Sequence, residues 1–146
     1  MNIIIAGGGK VGSTLTRQLS SEGYDVTLID VRTNVLEAMV DRYDVIGVLG
    51  NCASMHVLEQ AGILSADLLI AATNQDEINL LCCTTAHAMN PKLHTIARIR
   101  NPEYNSQIYK LRNIFGLSMP INPERQAANE IERLLKFPGF LRRDVF

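Results

Sequence analysis

The sequence has no apolar run longer than a few residues, no block of like charge, no low-complexity tract and no Cys-x-x-Cys pair. Each absence excludes a class of protein. A bilayer-crossing helix needs ~20 apolar residues, so none is expected, and Met1 leads into a strand-like run rather than a secretion signal. Fourteen Lys and Arg interleave with fifteen Asp and Glu for a net charge of −1. That balance gives no nucleic-acid footprint and predicts no nucleic-acid partner. Three cysteines, Cys52, Cys82 and Cys83, cannot all pair, so a reduced, cytoplasmic location without disulfides is expected. With 47% hydrophobic residues in 146, the chain can core one globular unit.

What is present is alternation. Short runs rich in Val, Ile and Leu at 2–6, 25–30, 44–49, 68–72, 94–98 and 119–121 read as strands. Between and after them, helical periodicity covers 11–22, 33–42, 54–61, 76–89, 102–115 and 123–137. Val11, Leu15 and Leu19 form an apolar ladder on the first helix, which ends before Gly23 as the third ends at Gly62. Six βα repeats predict an α/β fold: a Rossmann-like, doubly wound parallel sheet of six strands in the order 3-2-1-4-5-6, followed by a C-terminal helix.

The stretch "IIIAGGGKVG" places Gly7, Gly9 and Gly12 in a Gly-x-Gly-x-x-Gly pattern between the first strand and its helix. In that setting the first glycine permits a tight turn, the second lets the backbone approach a pyrophosphate, and the third lets helix and sheet pack closely. The helix N-terminus adds unpaired N–H groups and positive potential. Asp30, at the end of the second strand, can accept both ribose hydroxyls of an adenosine, which favours NAD(H); Arg32 beside it leaves room for a phosphorylated cofactor. Asn51, after the third strand, can reach an adenine edge. Thr73 and Asn74, in "AATNQDEIN", face the first loop across the switch point and suit either a ribose or phosphate contact or an ordinary helix cap. Arg98 and Arg100 alternate at the exit of the fifth strand and are expected to project to one side, towards phosphate or solvent. Lys10 offers the same two alternatives.

Other combinations carry less. Cys83 and His87 lie one helical turn apart, but with no second pair the expectation is a buried cysteine and no metal site. His56 and His94 lack a catalytic partner, and none of the four tyrosines has a lysine four residues on. No acid–base pair for hydride transfer is visible. The residues therefore read as a nucleotide-sensing module rather than an enzyme. The alternatives are the cofactor domain of an NAD-dependent dehydrogenase whose substrate domain is absent, and a structural scaffold without nucleotide.

Four blocks in order, "MNIIIAGGGKVGSTLTRQLSSEGYDVTLID", "GNCASMHVLEQAGI", "AATNQDEINLLCC" and "IARIRNPEY", resemble the N-terminal RCK (KTN) domain of the TrkA family, regulatory subunits of Trk-type potassium uptake systems. The likeness extends to about Gly139. It implies a cytoplasmic, non-enzymatic domain, peripheral at the inner face of the membrane, that gates a potassium-translocating subunit in response to NAD(H) or adenine nucleotides. By position, Gly7, Gly9, Lys10, Val11 and Gly12 match the family's phosphate loop, Asp30 its ribose acid, Thr73 and Asn74 its second loop, and Arg98 an arginine near the phosphates. Some relatives carry a phosphate-contacting arginine at the place of Lys10, which leaves ATP or ADP open as ligand. Asn51 departs from the aspartate many members show.

The resemblance further implies a division into a nucleotide-binding part, 1–122, and a crossover helix with the start of a linker, 123–146. In that last segment Ala127, Ala128, Ile131, Leu134 and Leu135 make an apolar stripe. The family pairs two subunits through this helix, so a homodimer, the building block of a tetrameric or octameric ring, is expected around residues 131–140. Members usually continue into a C-terminal lobe, and this chain is expected to be a fragment or single domain.

Overall fold

The computed structural model describes residues 1–121. They form β1 (Asn2–Ala6), α1 (Lys10–Ser21), β2 (Asp25–Asp30), α2 (Thr33–Arg42), β3 (Val45–Leu49), α3 (Met55–Gln60), β4 (Leu68–Ala71), α4 (Asp76–Met89), β5 (His94–Arg98), α5 (Asn105–Phe115) and β6 (Met119–Ile121). All six strands are parallel in one sheet ordered β3-β2-β1-β4-β5-β6, as the alternation predicts. The expected crossover helix, the domain boundary at 122/123 and the dimer segment 131–140 lie outside the described residues.

The isoleucine run of β1 explains the layering. Side chains alternate across a strand, so Ile3 and Ile5 pack with Leu15 and Leu19 of α1 and Leu36 and Met39 of α2, while Ile4 and Ala6 face the opposite layer. That second layer holds Leu58 of α3, Cys82, Cys83 and Ala86 of α4, and Ile108 of α5. A parallel strand covered on both faces must be apolar where it is covered, and β4 and residues 3–6 of β1 are. Each fully buried Ile or Leu contributes roughly 1.5–3 kcal/mol.

Differences from the sequence expectation are confined to element ends. The fifth helix begins at Asn105 rather than 102, because Pro102–Tyr104 forms a separate 3-10 turn in which the Asn101 side chain accepts the Glu103 N–H at 3.0 Å. α3 is trimmed at both ends to Met55–Gln60, since Ser54 has extended backbone and supplies no side-chain cap. The sheet order sends the chain from β1 leftwards to β2 and from β4 rightwards to β5. The loops after β1 and β4 therefore part at their carboxyl ends and leave a crevice.

Candidate functional site

A cleft of about 490 Å³ occupies that crevice. Gly7, Gly9 and Lys10 line it from the loop after β1, Asp30 and Arg32 from the end of β2, and Asn51 from the turn after β3. Thr73 and Asn74 close it from the loop after β4, and Arg98 from β5. Nine of the twelve nucleotide-site candidates named from the sequence thus meet in one place. Arg100, Val11 and Gly12 do not line it. Val11 packs against the α1 layer, and Gly12 is buried beneath the loop.

The three consecutive glycines each answer a different neighbour. Gly7 adopts φ +104°, and a Cβ there would lie 2.9 Å from the Thr73 nitrogen, so the loops after β1 and β4 touch backbone to backbone. A Cβ on Gly8 would come within 2.6 Å of Val35 Cγ1 and 3.1 Å of Asp30 Oδ2. Among the described residues nothing lies within 4 Å of a Cβ on Gly9. The space in front of Gly9 is thus open to a ligand. Gly9 is also the N-cap of α1 and gives its first turn no side-chain cap, so helix amides remain directed at the cleft.

Asp30 is 6% exposed and its carboxylate is fully engaged. Oδ2 accepts the Gly8 N–H at 2.7 Å and Arg32 Nη2 at 3.1 Å; Oδ1 accepts the Arg32 N–H at 2.8 Å and Arg32 Nε at 3.0 Å. Burial alone would raise the Asp30 pKa, but the Arg32 side chain, the Gly8 and Arg32 amides and the Arg32 charge together hold it below the ordinary carboxylate value. The acid is ionised and aimed correctly. Its lone pairs are nevertheless all taken, so ribose hydroxyls can bind only by displacing the Arg32 guanidinium, which is 54% exposed and able to leave.

Across the cleft, Asn79 organises the second loop. Its Oδ1 accepts the Thr73 N–H at 2.9 Å and the Thr73 hydroxyl at 2.7 Å, while Nδ2 donates to the carbonyls of Thr73 at 3.1 Å and Arg98 at 2.9 Å. Arg98 Nη1 also donates to the Thr73 carbonyl, at 3.1 Å. Its Nε is buried with no hydrogen-bond partner among the described residues. Burial, then the charge of Arg100, lower the Arg98 pKa against the pull of Asp76. An anion in the cleft would relieve both. Arg100 is exposed and lines a separate shallow surface beside Asp76, so of the two arginines only Arg98 lines the cleft. Neither Thr73 nor Asn74 caps α4 by side chain; the N-cap is Gln75, whose N–H reaches Thr73 Oγ1 at 3.2 Å.

Sequence reasoning missed Gly8, Asn79 and Cys52. Asn79 left a signal: it falls on the apolar face of α4 with Cys82, Cys83 and Ala86, and a polar side chain there demands partners. Gly8 is the non-motif residue of the loop, and only the fold brings it to Asp30. Cys52 lines the cleft beside Asn51.

The sequence from residue 3 to 123 matches the TrkA-N domain family. The chain belongs to the TrkA-N family. The Trk system potassium uptake protein TrkA of Haemophilus influenzae is 40% identical over 143 residues, 97% of this TrkA-N chain but 31% of that protein. The chain thus spans about a third of that relative's length. Among solved structures, the TrkA-N domain of the inner membrane protein ybaL from Escherichia coli matches with a TM-score of 0.76 at 25% identity, over 92% of this chain and 96% of that one. The Kef CTD of Shewanella denitrificans, solved in an AMP-bound form, matches with a TM-score of 0.73 at 25% identity, over 94% of this chain and 82% of that one. Among the described residues of this TrkA-N domain no helix is long and apolar enough to cross a membrane.

Proposed function

We propose that this chain is the nucleotide-binding regulatory domain of a potassium uptake system, held at the inner face of the membrane by a potassium-translocating partner, and that its ligand is NAD(H), with ATP or ADP as the alternative. The observation that carries the reading is the buried, ionised Asp30 in the same cleft as the open backbone at Gly9. Kinship with a potassium uptake protein supports the regulatory role, and an AMP-bound structure of a relative with the same fold supports an adenine nucleotide.

The residues fit a dinucleotide. Gly9 leaves room for a pyrophosphate at the start of α1, Arg98 has an unused N–H donor, and Lys10 supplies a mobile positive charge at the rim. Asp30 would take the adenosine ribose once Arg32 has turned away. A ligand carrying a 2'-phosphate would instead set a second anion against Asp30, with Arg32 as the compensating charge. Asn51 projects at the adenine end, although its Oδ1 is occupied by the Ala53 N–H at 3.0 Å, leaving its amide nitrogen as the group available to a base.

The groups lining the cleft are suited to holding charge: one carboxylate, two guanidiniums and one ammonium. Regulation follows if nucleotide fixes the β1 and β4 loops in one arrangement and that arrangement is passed to a neighbouring subunit. Self-association through 131–140, as a dimer within a ring, is part of the proposal and rests on the apolar stripe in the sequence. Calorimetry with NAD, NADH, NADP, ATP and ADP tests the reading: at least one nicotinamide or adenine nucleotide without a 2'-phosphate binds, and Gly9→Val abolishes binding while the protein stays folded. A panel without any binding removes the reading.

A further inference from the structure

The nucleotide cleft lies at the carboxyl ends of the strands. At the opposite end of the sheet, where β5 and β6 begin, a second pocket of about 360 Å³ opens between the turn from α4 to β5 and the turn from α5 to β6. Four basic side chains line it: His87 from the last turn of α4, Lys92 from the turn that follows, His94 from the start of β5 and Arg112 from the last turn of α5. No described aspartate or glutamate does. In a chain with fifteen acidic residues against fourteen Lys and Arg, that local excess is not a product of composition.

The surrounding backbone holds these groups in place. Asn90 pins the turn after α4: its Nδ2 donates to the Ile63 carbonyl at 3.0 Å and the Ala66 carbonyl at 3.3 Å, and its Oδ1 accepts the Lys92 N–H at 3.3 Å. His94 is buried, with Nδ1 3.2 Å from Ser118 Oγ, which also accepts the Thr95 N–H at 3.1 Å. The His87 ring rests on Gly116, where a Cβ would fall 2.2 Å from His87 Cγ. Only glycine leaves the ring at the pocket wall. Gly116 also has φ +69°, the left-handed conformation that ends α5.

Attraction of basic side chains to helix C-termini accounts for His87 and Arg112. It does not account for Lys92 and His94, which lie outside both helices. Among the described residues neither Lys92 nor Arg112 has a carboxylate partner, and His87 Nδ1 is buried without a hydrogen-bond partner. Positive groups gathered in one hollow repel one another, and an anion with several acceptor oxygens offsets that repulsion.

We propose that this pocket is a second ligand site, one that takes inorganic phosphate or a small soluble phosphate monoester. Arg112 supplies a planar fork of donors and Lys92 a point charge from the rim, with the imidazoles of His87 and His94 on the walls. A volume of this order is usual for small-molecule sites. A ligand there ties the end of α4 to the end of α5. None of this depends on nucleotide binding.

The chain has three histidines, and His56 does not line the pocket, so histidine ring resonances measured by NMR report the site with an internal control. Inorganic phosphate and glycerol 3-phosphate are titrated separately into the unmutated chain at constant pH, with sodium chloride at matched ionic strength as the blank. With at least one of the two, the His87 and His94 rings are expected to shift along one saturating curve while His56 stays in place. Lys92→Gln combined with Arg112→Gln, both exposed positions, is expected to weaken binding about tenfold or more, since two charged hydrogen bonds are lost. Gly9→Val is expected to leave the curve unchanged, which separates this pocket from the nucleotide cleft. No saturating shift up to roughly 10 mM, well above the usual range for small-molecule sites, overturns the proposal. So does an equal shift with chloride, a shift undiminished in the double variant, or one lost in Gly9→Val. Phosphatidate vesicles form the last arm: a response to vesicles with none to the two soluble ions puts the phosphate on a lipid and overturns the soluble ligand.

Discussion

The carbonyl oxygen of Gly7 fills the space that a Cβ on Gly12 would need. One glycine of the motif is thereby locked to another, and the roles of folding and binding fall on different members. Gly12→Ala forces backbone against backbone at the start of α1 and is expected to destabilise the domain by at least about 3 kcal/mol, the upper end of overpacking effects. A Cβ at Gly9 meets no atom of the described residues, so Gly9→Val should change stability by less than about 1 kcal/mol. Chemical denaturation and nucleotide titration on both variants check this. A Gly9→Val protein that binds nucleotide normally would place the phosphates elsewhere.

On the proposed reading, Arg32 competes with ribose for Asp30. Arg32→Ala should therefore bind NAD up to about fivefold more tightly, since ~1 kcal/mol is the most an exposed ion pair normally contributes. NADP should respond in the opposite sense, because its extra phosphate loses the guanidinium. Titration of both cofactors on the variant decides between this account and a direct Arg32 contact with NAD, which predicts weaker binding.

Asn79→Ala removes four hydrogen bonds at once and leaves the Thr73 N–H and the Arg98 carbonyl to find other partners. A loss of about 2 kcal/mol or more in unfolding free energy is expected. Nucleotide affinity should fall as well, although Asn79 does not line the cleft. Retention of full affinity at temperatures where the variant is folded would show that the Thr73 loop needs no such brace.

The sheet order and the cleft were legible in the sequence because they follow from local regularities: a period of two, a period near three and a half, and glycines between them. Asp30 and the Gly7–Gly12 loop could be named from spacing. Its hydrogen-bonding could not, since the Gly8 amide meets the Asp30 carboxylate only after β1 and β2 are paired. For the same reason spacing could not tell which of Arg98 and Arg100 lines the cleft: alternation holds within β5, but the strand ends at Arg98 and the chain turns where the Arg100 and Asn101 amides bind Asp76. Helix starts slipped by up to three residues wherever a 3-10 turn or an uncapped serine intervened.

The acid limb of stability should carry the mark of Asp30. Its pKa is lower in the folded chain than the ordinary 3.8, so the unfolded chain takes up the proton first as pH falls. The stabilisation is complete above the ordinary value and is lost as pH drops from there through the folded value. Urea denaturation between about pH 5 and about pH 2 should show this loss, and Asp30→Asn should flatten it. A variant as steeply dependent on pH as the parent would assign the acid limb to other carboxylates.

The two sides of the cleft differ in how they are held. Thr73, Asn79 and Arg98 form a jaw set in advance by mutual bonds, whereas the opposite jaw is latched by one solvent-facing guanidinium. On the proposed reading, a phosphate would meet a finished mould at the first, while a sugar at the second would have to trade places with an internal counter-ion. Ligand preference is therefore tunable at position 32 without touching the core. On the proposed reading, exchange of that one residue between related chains would shift the balance between nucleotides by a few-fold.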